Sequence, residues 1–219
     1  MATTATPTKT ATAVLLPSEA PGSRSIRIDN ATGFFVKLFV PEVPHKKGSK
    51  PDPTKLPKYS MMAGLGEQAE KLIRDAIAEC CRELKIKKIP EGDKLCLRET
   101  PKPDDYEGPE LYPISLNLTA SAFRKDGKTP IPAPEVLRRD GVTKVTAEDA
   151  ETLYCTSGGL FRVFCTVKAM SEFNSVAAFI DGVQLYEKLN SCGRLGGRSK
   201  FTPEAIEDDE DPVDPDELE

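Results

Sequence analysis

Residues 158–170 read Gly-Gly-Leu-Phe-Arg-Val-Phe-Cys-Thr-Val-Lys-Ala-Met, and from Phe161 onward two kinds of side chain alternate strictly. A period of two is the signature of a β-strand with unlike faces. Phe161, Val163, Cys165, Val167 and Ala169 suit a core. Arg162, Phe164, Thr166 and Lys168 take the opposite face. Cations mixed with an aromatic are what a platform needs to neutralise phosphates and stack bases. A surface strand with one Phe beneath a loop gives the same pattern. Residues 34–40 repeat the arrangement, with Phe34, Val36, Leu38 and Val40 expected inside and Phe35, Lys37 and Phe39 outside. A strand buried on both faces does not accept a central lysine. One side is therefore open, or Lys37 snorkels to an edge.

The other segments supply parts of a sheet. Ile26 and Ile28 alternate with Arg27 and begin a strand, and Asn30-Ala31-Thr32-Gly33 reads as a turn. Residues 41–57 form a proline-rich basic loop with His45, followed by a short strand from Lys58 to Met62. Residues 66–85 carry Ala69, Leu72, Ile73, Ala76, Ile77, Cys80 and Leu84 at helical spacing, which predicts one amphipathic helix plugging the sheet or meeting a partner. Acids lead this helix and bases trail it, as the helix dipole favours. Lys94 to Arg98 is a short strand, and Tyr106 lies in a charged loop. Residues 112–123 alternate again, with Tyr112, Ile114, Leu116, Leu118, Ala120 and Ala122 facing in. Their outer face of Ser115, Asn117, Thr119, Ser121 and Phe123 lines a groove or faces water. Arg124, Lys125 and Lys128 follow on a basic turn. Thr146 starts a short helix. Residues 175–180 pair with the opening strand as a hairpin, Asp181-Gly182 turns the chain, and residues 183–189 are a strand or a helical turn.

Charge is segregated. The net charge of −5 hides ten acidic and no basic side chains in residues 204–219, leaving 30 basic against 25 acidic in residues 1–203. A basic body with an acidic tail suits a polyanion site and an internal competitor for it. The six cysteines lack a C-x-x-C pair and there is one histidine, so no metal site is expected and the thiols are read as free. No cofactor is expected. The acidic pairs Asp104-Asp105 and Glu148-Asp149 lack the partners a metal-dependent nuclease needs, and Gly193 to Gly197 lacks the Lys-Ser/Thr ending of a phosphate loop. The chain is therefore read as a non-enzyme. No apolar run approaches the ~20 residues of a membrane span, and residues 13–16 are too short for a secretory core, so the expected compartment is cytoplasmic.

Lys58-Tyr59-Ser60 before the helix, Tyr154 and Gly158-Gly159 leading into the alternating strand, Gly182-Val183-Gln184, Gly196-Gly197-Arg198 and the acidic terminus occur in an order that resembles the bacteriophage single-stranded DNA-binding proteins. The resemblance spans roughly residues 34–198 plus the tail; the long start and the insertion at residues 41–57 depart from it. It implies a mainly β, OB-fold-like, five-stranded, partly open barrel with one main α-helix and long loops. The expected division is a disordered segment 1–23, a DNA-binding domain 24–200 and an acidic disordered tail 201–219. The implied function is sequence-independent binding of single-stranded DNA in phage replication, recombination or repair, in the cytoplasm of the infected host. The tail would compete with DNA and recruit a polymerase or helicase, with homodimerisation left open. Lys37, Arg162 and Lys168 would meet phosphates, with Lys58, Arg98, Arg124, Lys125 and Lys128 at the rim. Phe35, Phe39, Phe164, Tyr59 and Tyr106 would stack on bases. The alternative reading is an interaction adaptor or nucleic-acid mimic that binds no DNA itself.

Overall fold

A computed structural model describes residues 10–18, 20–45, 51–100, 112–152 and 160–186. Eight strands and two α-helices follow one another: β1 (Thr12–Leu16), β2 (Ser23–Glu42), β3 (Lys58–Leu65), α1 (Glu67–Glu83), β4 (Leu97–Glu99), β5 (Ile114–Ser121), β6 (Glu135–Leu137), α2 (Ala147–Thr152), β7 (Leu160–Met170) and β8 (Ser175–Leu185). Antiparallel pairing joins β5 to β3, β3 to β2, β2 to β7 and β7 to β8. A short parallel pairing of β8 with β5, at Leu118↔Ala178 and Thr119↔Phe179, closes the circuit. Five strands thus form a closed barrel in the order β2-β3-β5-β8-β7, with β1, β4 and β6 added at edges. This is an OB-fold.

β2 organises the barrel. It is 20 residues long, and its first part pairs with β1 and β7 while its second part pairs with β3. Two residues in the left-handed region let it bend: Asn30 with φ 55° and Phe35 with φ 49°. Each sits at a register shift, one against β7 and one against β3. Residues 30–33 therefore continue the strand through a bulge instead of turning the chain, because Asn tolerates the left-handed conformation without breaking the ladder. Asp181 is likewise an extra residue within β8, as Phe164 faces Gly182 while Cys165 faces Ile180.

The barrel interior is filled by the expected alternating residues. Phe161, Val163, Cys165, Val167 and Ala169 from β7 meet Ile26, Ile28 and Leu38 from β2 and Leu116 and Leu118 from β5. Gly33 has no side chain because a Cβ there would lie 2.3 Å from the Phe161 ring. α1 covers this core with Ala69, Ile73, Ala76, Ile77, Cys80 and Cys81, and its last turn is tied to the start of β2. Arg24 pairs with Glu83 at 2.5 Å, and the Gly22 N–H donates to the same carboxylate at 2.6 Å. Cys80, Cys81, Cys96 and Cys165 are free and buried, and burial pushes the Cys96 thiol up to about 12. α2 opens with the expected cap: the Asp149 N–H donates to the Thr146 hydroxyl, and Thr146 N–H donates to the Asp149 carboxylate.

The start of the chain departs from expectation. Thr12–Leu16, within the segment expected to be disordered, form a strand on β2. Ala13 contributes its small side chain to the core, and the Gln68 side-chain amide receives its N–H and donates to its carbonyl. Those two bonds satisfy backbone groups on the open edge of β1. The other expected boundary, the acidic tail, lies outside the described residues.

The Arg24 and Gly22 hydrogen bonds depress the Glu83 carboxyl from its ordinary 4.5 to about 2. A depressed carboxyl adds stability above its unfolded pKa that fades as pH falls through the folded value. The stability gap between wild type and Glu83→Gln, measured by urea unfolding, should be constant above pH 4.5 and close between pH 4.5 and about 2. A gap that persists at pH 2 would contradict this pairing.

Candidate nucleic-acid interface

The register of β2, β3, β5 and β8 lays out one outer surface row by row. Lys37 lies beside Ser60, Ser60 beside Thr119, and Thr119 beside Phe179. The next row toward the β2–β3 loop is Glu42, Lys58 and Ser121. In the other direction come Phe34, Met62 and Asn117, then Thr32, Gly64, Ser115 and Arg98. In barrel order β3 and β5 are the second and third strands, the pair whose outer face, with the loops after strands one and four, binds oligonucleotides in OB-folds generally. Eight residues of β3 give this face a length of about 26 Å.

Cations gather at one end of it. Lys58, Arg124, Lys125 and Lys128 are exposed. The turn carrying the last three is seated on the β2–β3 loop, with Ala122 N–H donating to the Pro57 carbonyl and Gly127 close against Leu56. Asp126, the acid within the turn, holds its shape. Its carboxylate accepts from the Thr129 hydroxyl and from the N–H groups of Thr129 and Lys128, which keeps it below the usual carboxylate range. Lys37 pairs with Glu42 at 2.9 Å with both side chains about half exposed. Such a pair contributes little and opens readily to a phosphate. The middle of the face is uncharged, made of Ser60, Met62, Asn117 and Thr119.

The bulge at Phe35 rearranges the expected faces of residues 34–40. One extra residue on β2 places both Phe34 and Lys37 in rows with outward residues of β3. Phe34 is buried as expected, at 2% exposed, but on the outer side of the sheet, where it and Tyr112 lie over Gly64. Tyr112 likewise is not an inward residue of β5. Phe35 projects at the bulge and is 49% exposed, and Val40 is exposed as well. Phe39, expected to stack outward, packs partly buried against the core, since a second register shift separates Lys37 from Glu42. Tyr59 is buried on the side of β3 that carries Met61 and Ala63.

The outer face of β7 also differs from expectation. Arg162 is 2% exposed, and its Nε lies 2.5 Å from Asp29, whose other oxygen is 3.0 Å from Arg27. Phe164 is 3% exposed. Neither side chain is presented at the surface as the alternation suggested. Moreover, β7 pairs with the first part of β2, whereas Phe35 and Lys37 belong to the second, so their outer faces do not form one trough. Lys168 is exposed, near the end of β7 that enters the β7–β8 turn. That turn carries Phe173, 64% exposed, which sequence reading passed over as part of a hairpin connection. A large ring between Glu172 and Asn174, where a tight turn asks only for polar residues, was the available signal. Arg98 is held on its own strand by donating to the Gly92 carbonyl and by Asp93 at 4.0 Å. Tyr106 lies outside the described residues.

No family model matches the chain, and no curated protein does. Solved structures of related shape exist. The single-stranded DNA-binding protein from bacteriophage Enc34 in complex with single-stranded DNA aligns with a TM-score of 0.49 at 15% identity, over 82% of this chain and 98% of that one. Another structure of the Enc34 protein aligns with a TM-score of 0.48 at 14% identity, over 82% and 93%. The single-stranded DNA-binding protein gp2.5 encoded by bacteriophage T7 aligns with a TM-score of 0.43 at 15% identity, over 84% and 94%. The strand pairings of this chain, not that likeness, define its fold.

Burial separates the two phenylalanines that the alternation treated alike. Phe35→Ala should cost much less than Phe164→Ala, whose loss should be about 3–5 kcal/mol. Chemical denaturation of the two variants measures both, and equal losses would refute the assignment.

Proposed function

We propose that this chain binds single-stranded DNA without strong sequence preference, on the outer face of β3 and β5. The observation that carries the reading is the joining of four exposed cations, Lys58, Arg124, Lys125 and Lys128, to the uncharged polar face of β3 and β5 in an OB barrel. Lys37 and these four meet phosphates. Phe35 offers a ring at the β2 side, and each base stacked on such a ring contributes about 1–3 kcal/mol. Lys168, Phe173 and Arg98 extend contact toward the opposite end. The hydroxyl and amide groups between hydrogen-bond bases or sugars without demanding one sequence. The resemblance drawn from sequence motifs leads to the same reading.

In this proposal the protein is a binding protein rather than an enzyme, and it acts in phage DNA replication, recombination or repair within the infected bacterium. The acidic residues 204–219 compete with DNA for the cationic end. DNA displaces them, and the released tail recruits a polymerase or helicase. The support for this is the opposition of charge between tail and body.

Fluorescence anisotropy with a labelled oligonucleotide across a salt series tests the interface. Lys58→Ala and Lys128→Ala should each weaken binding and each flatten the log–log salt slope by about 0.7. Unchanged slopes in both would remove the face from consideration. Truncation before Glu204 should tighten binding at low salt, with the gain shrinking as salt screens the tail. Equal affinity of truncated and full chains at low salt would exclude the competitor role.

A further inference from the structure

The barrel is joined at β5 and β8 by only two residue pairs, Leu118↔Ala178 and Thr119↔Phe179. Beyond them β8 pairs with β6, from Gly182 to Gln184. Between these two pairings the strands part, and residues 131–134 bridge the gap with the sequence Ile-Pro-Ala-Pro. Ile131 donates its N–H to Ala122, but Pro132 and Pro134 have none to offer a neighbouring strand. The ladder therefore stops, and a cleft of about 670 Å³ remains. Its lining includes Phe179, Ile131 and Pro132 as apolar surfaces and Ser121, Glu135, Lys144 and Asp181 as polar groups, the ammonium of Lys144 being taken up by Glu135.

We propose that this cleft receives one unstacked nucleobase of the bound strand, its ring against Phe179 and its amine-bearing edge toward Asp181 and Glu135. The inference rests on the single-stranded DNA reading above and deepens it. Continuity selects the occupant. Phe179 ends the row Lys37, Ser60, Thr119, and Ser121 ends the row that contains Lys58. A strand crossing the face from those lysines arrives at the cleft. Chemistry then selects among bases. Ionised carboxylates only accept hydrogen bonds, and each has room for several. Asp181 accepts from Thr166 at 2.6 Å, and Glu135 is paired with Lys144 at 2.5 Å, so both carboxylates are held in place at the cleft. Cytosine, adenine and guanine bring exocyclic amines to such an edge. Thymine has no exocyclic amine and flanks its single ring N–H with two carbonyl oxygens, which the carboxylates repel. The site thus adds a bias against thymine at one nucleotide to binding that is otherwise indifferent to sequence.

The test compares an oligo-dT of about 12 nucleotides with the same length of oligo-dC, by competition anisotropy on the full chain. Wild type should favour dC by about fivefold or more, the low end for discrimination of one base by hydrogen bonds. Phe179→Leu should abolish that preference while retaining binding to dT. Ala133→Leu, which narrows the cleft from an exposed position, should do the same without touching the barrel. Equal wild-type affinity for dC and dT, or a preference that survives both variants, overturns the pocket and leaves the DNA-binding reading standing. Failure of wild type to bind either oligonucleotide overturns both.

Discussion

β2 has to serve three neighbours at once, and a straight strand cannot do so. Its first part carries β1 and β7, and its second part carries β3. The strand bends where Asn30 and Phe35 adopt left-handed backbone, a conformation that is costly for a residue such as Phe. The surrounding ladders hold it there. The consequence reaches the surface directly. The extra residue at Phe35 keeps Leu38 in the core while bringing Phe34 and Lys37 to the same outer side. It also leaves the Phe35 ring exposed. The bulge that lets the barrel close therefore shapes the edge of its candidate binding face.

Two populations of cations follow from the same architecture. Arg162 and Arg27 share Asp29 on the outside of β2 and β7, with Arg162 withdrawn from solvent. Breaking such a pair leaves an uncompensated buried charge, which makes it a structural element rather than a contact point. Lys58, at the start of β3, is exposed, as are Arg124, Lys125 and Lys128, carried on a turn whose own acid is occupied by backbone and hydroxyl donors. In the proposed function these are the cations that exchange counterions for phosphates, the main source of affinity for nucleic acid. Position in the fold, more than residue type, separates a cation that holds the barrel from one left exposed at the surface.

Much of the plan was legible along the chain. The alternation in β7 located the core residues Phe161, Val163, Cys165, Val167 and Ala169, and the helical stripe located Ala69, Ile73, Ala76 and Ile77. Thr146 was recognised as a cap because its chemistry is local. The outer polar face of β5 was recognised as a groove or a wet surface at Asn117, Thr119 and Ser121, whereas Ser115 is buried. Errors arose where alternation was interrupted. Residues 30–33 and Asp181-Gly182 carry turn chemistry but are absorbed as bulges, since ladder bonds on both sides outweigh local preference. Phe39 and Val40 were misplaced for the same reason.

The sequence by itself determined most of the elements, though not β1 or β6, the core side of the strands away from their bulges, and the division of charge between body and tail, because periodicity and composition are local properties. Only the tertiary structure decided which outer faces adjoin. It seated the basic turn after β5 on the loop before β3 and gave β7 the first part of β2 as its neighbour. It also buried Phe164 while leaving Phe35 and Phe173 in solvent. Those outcomes depend on strand order and register, and pairing between distant segments leaves no trace in the period of either one.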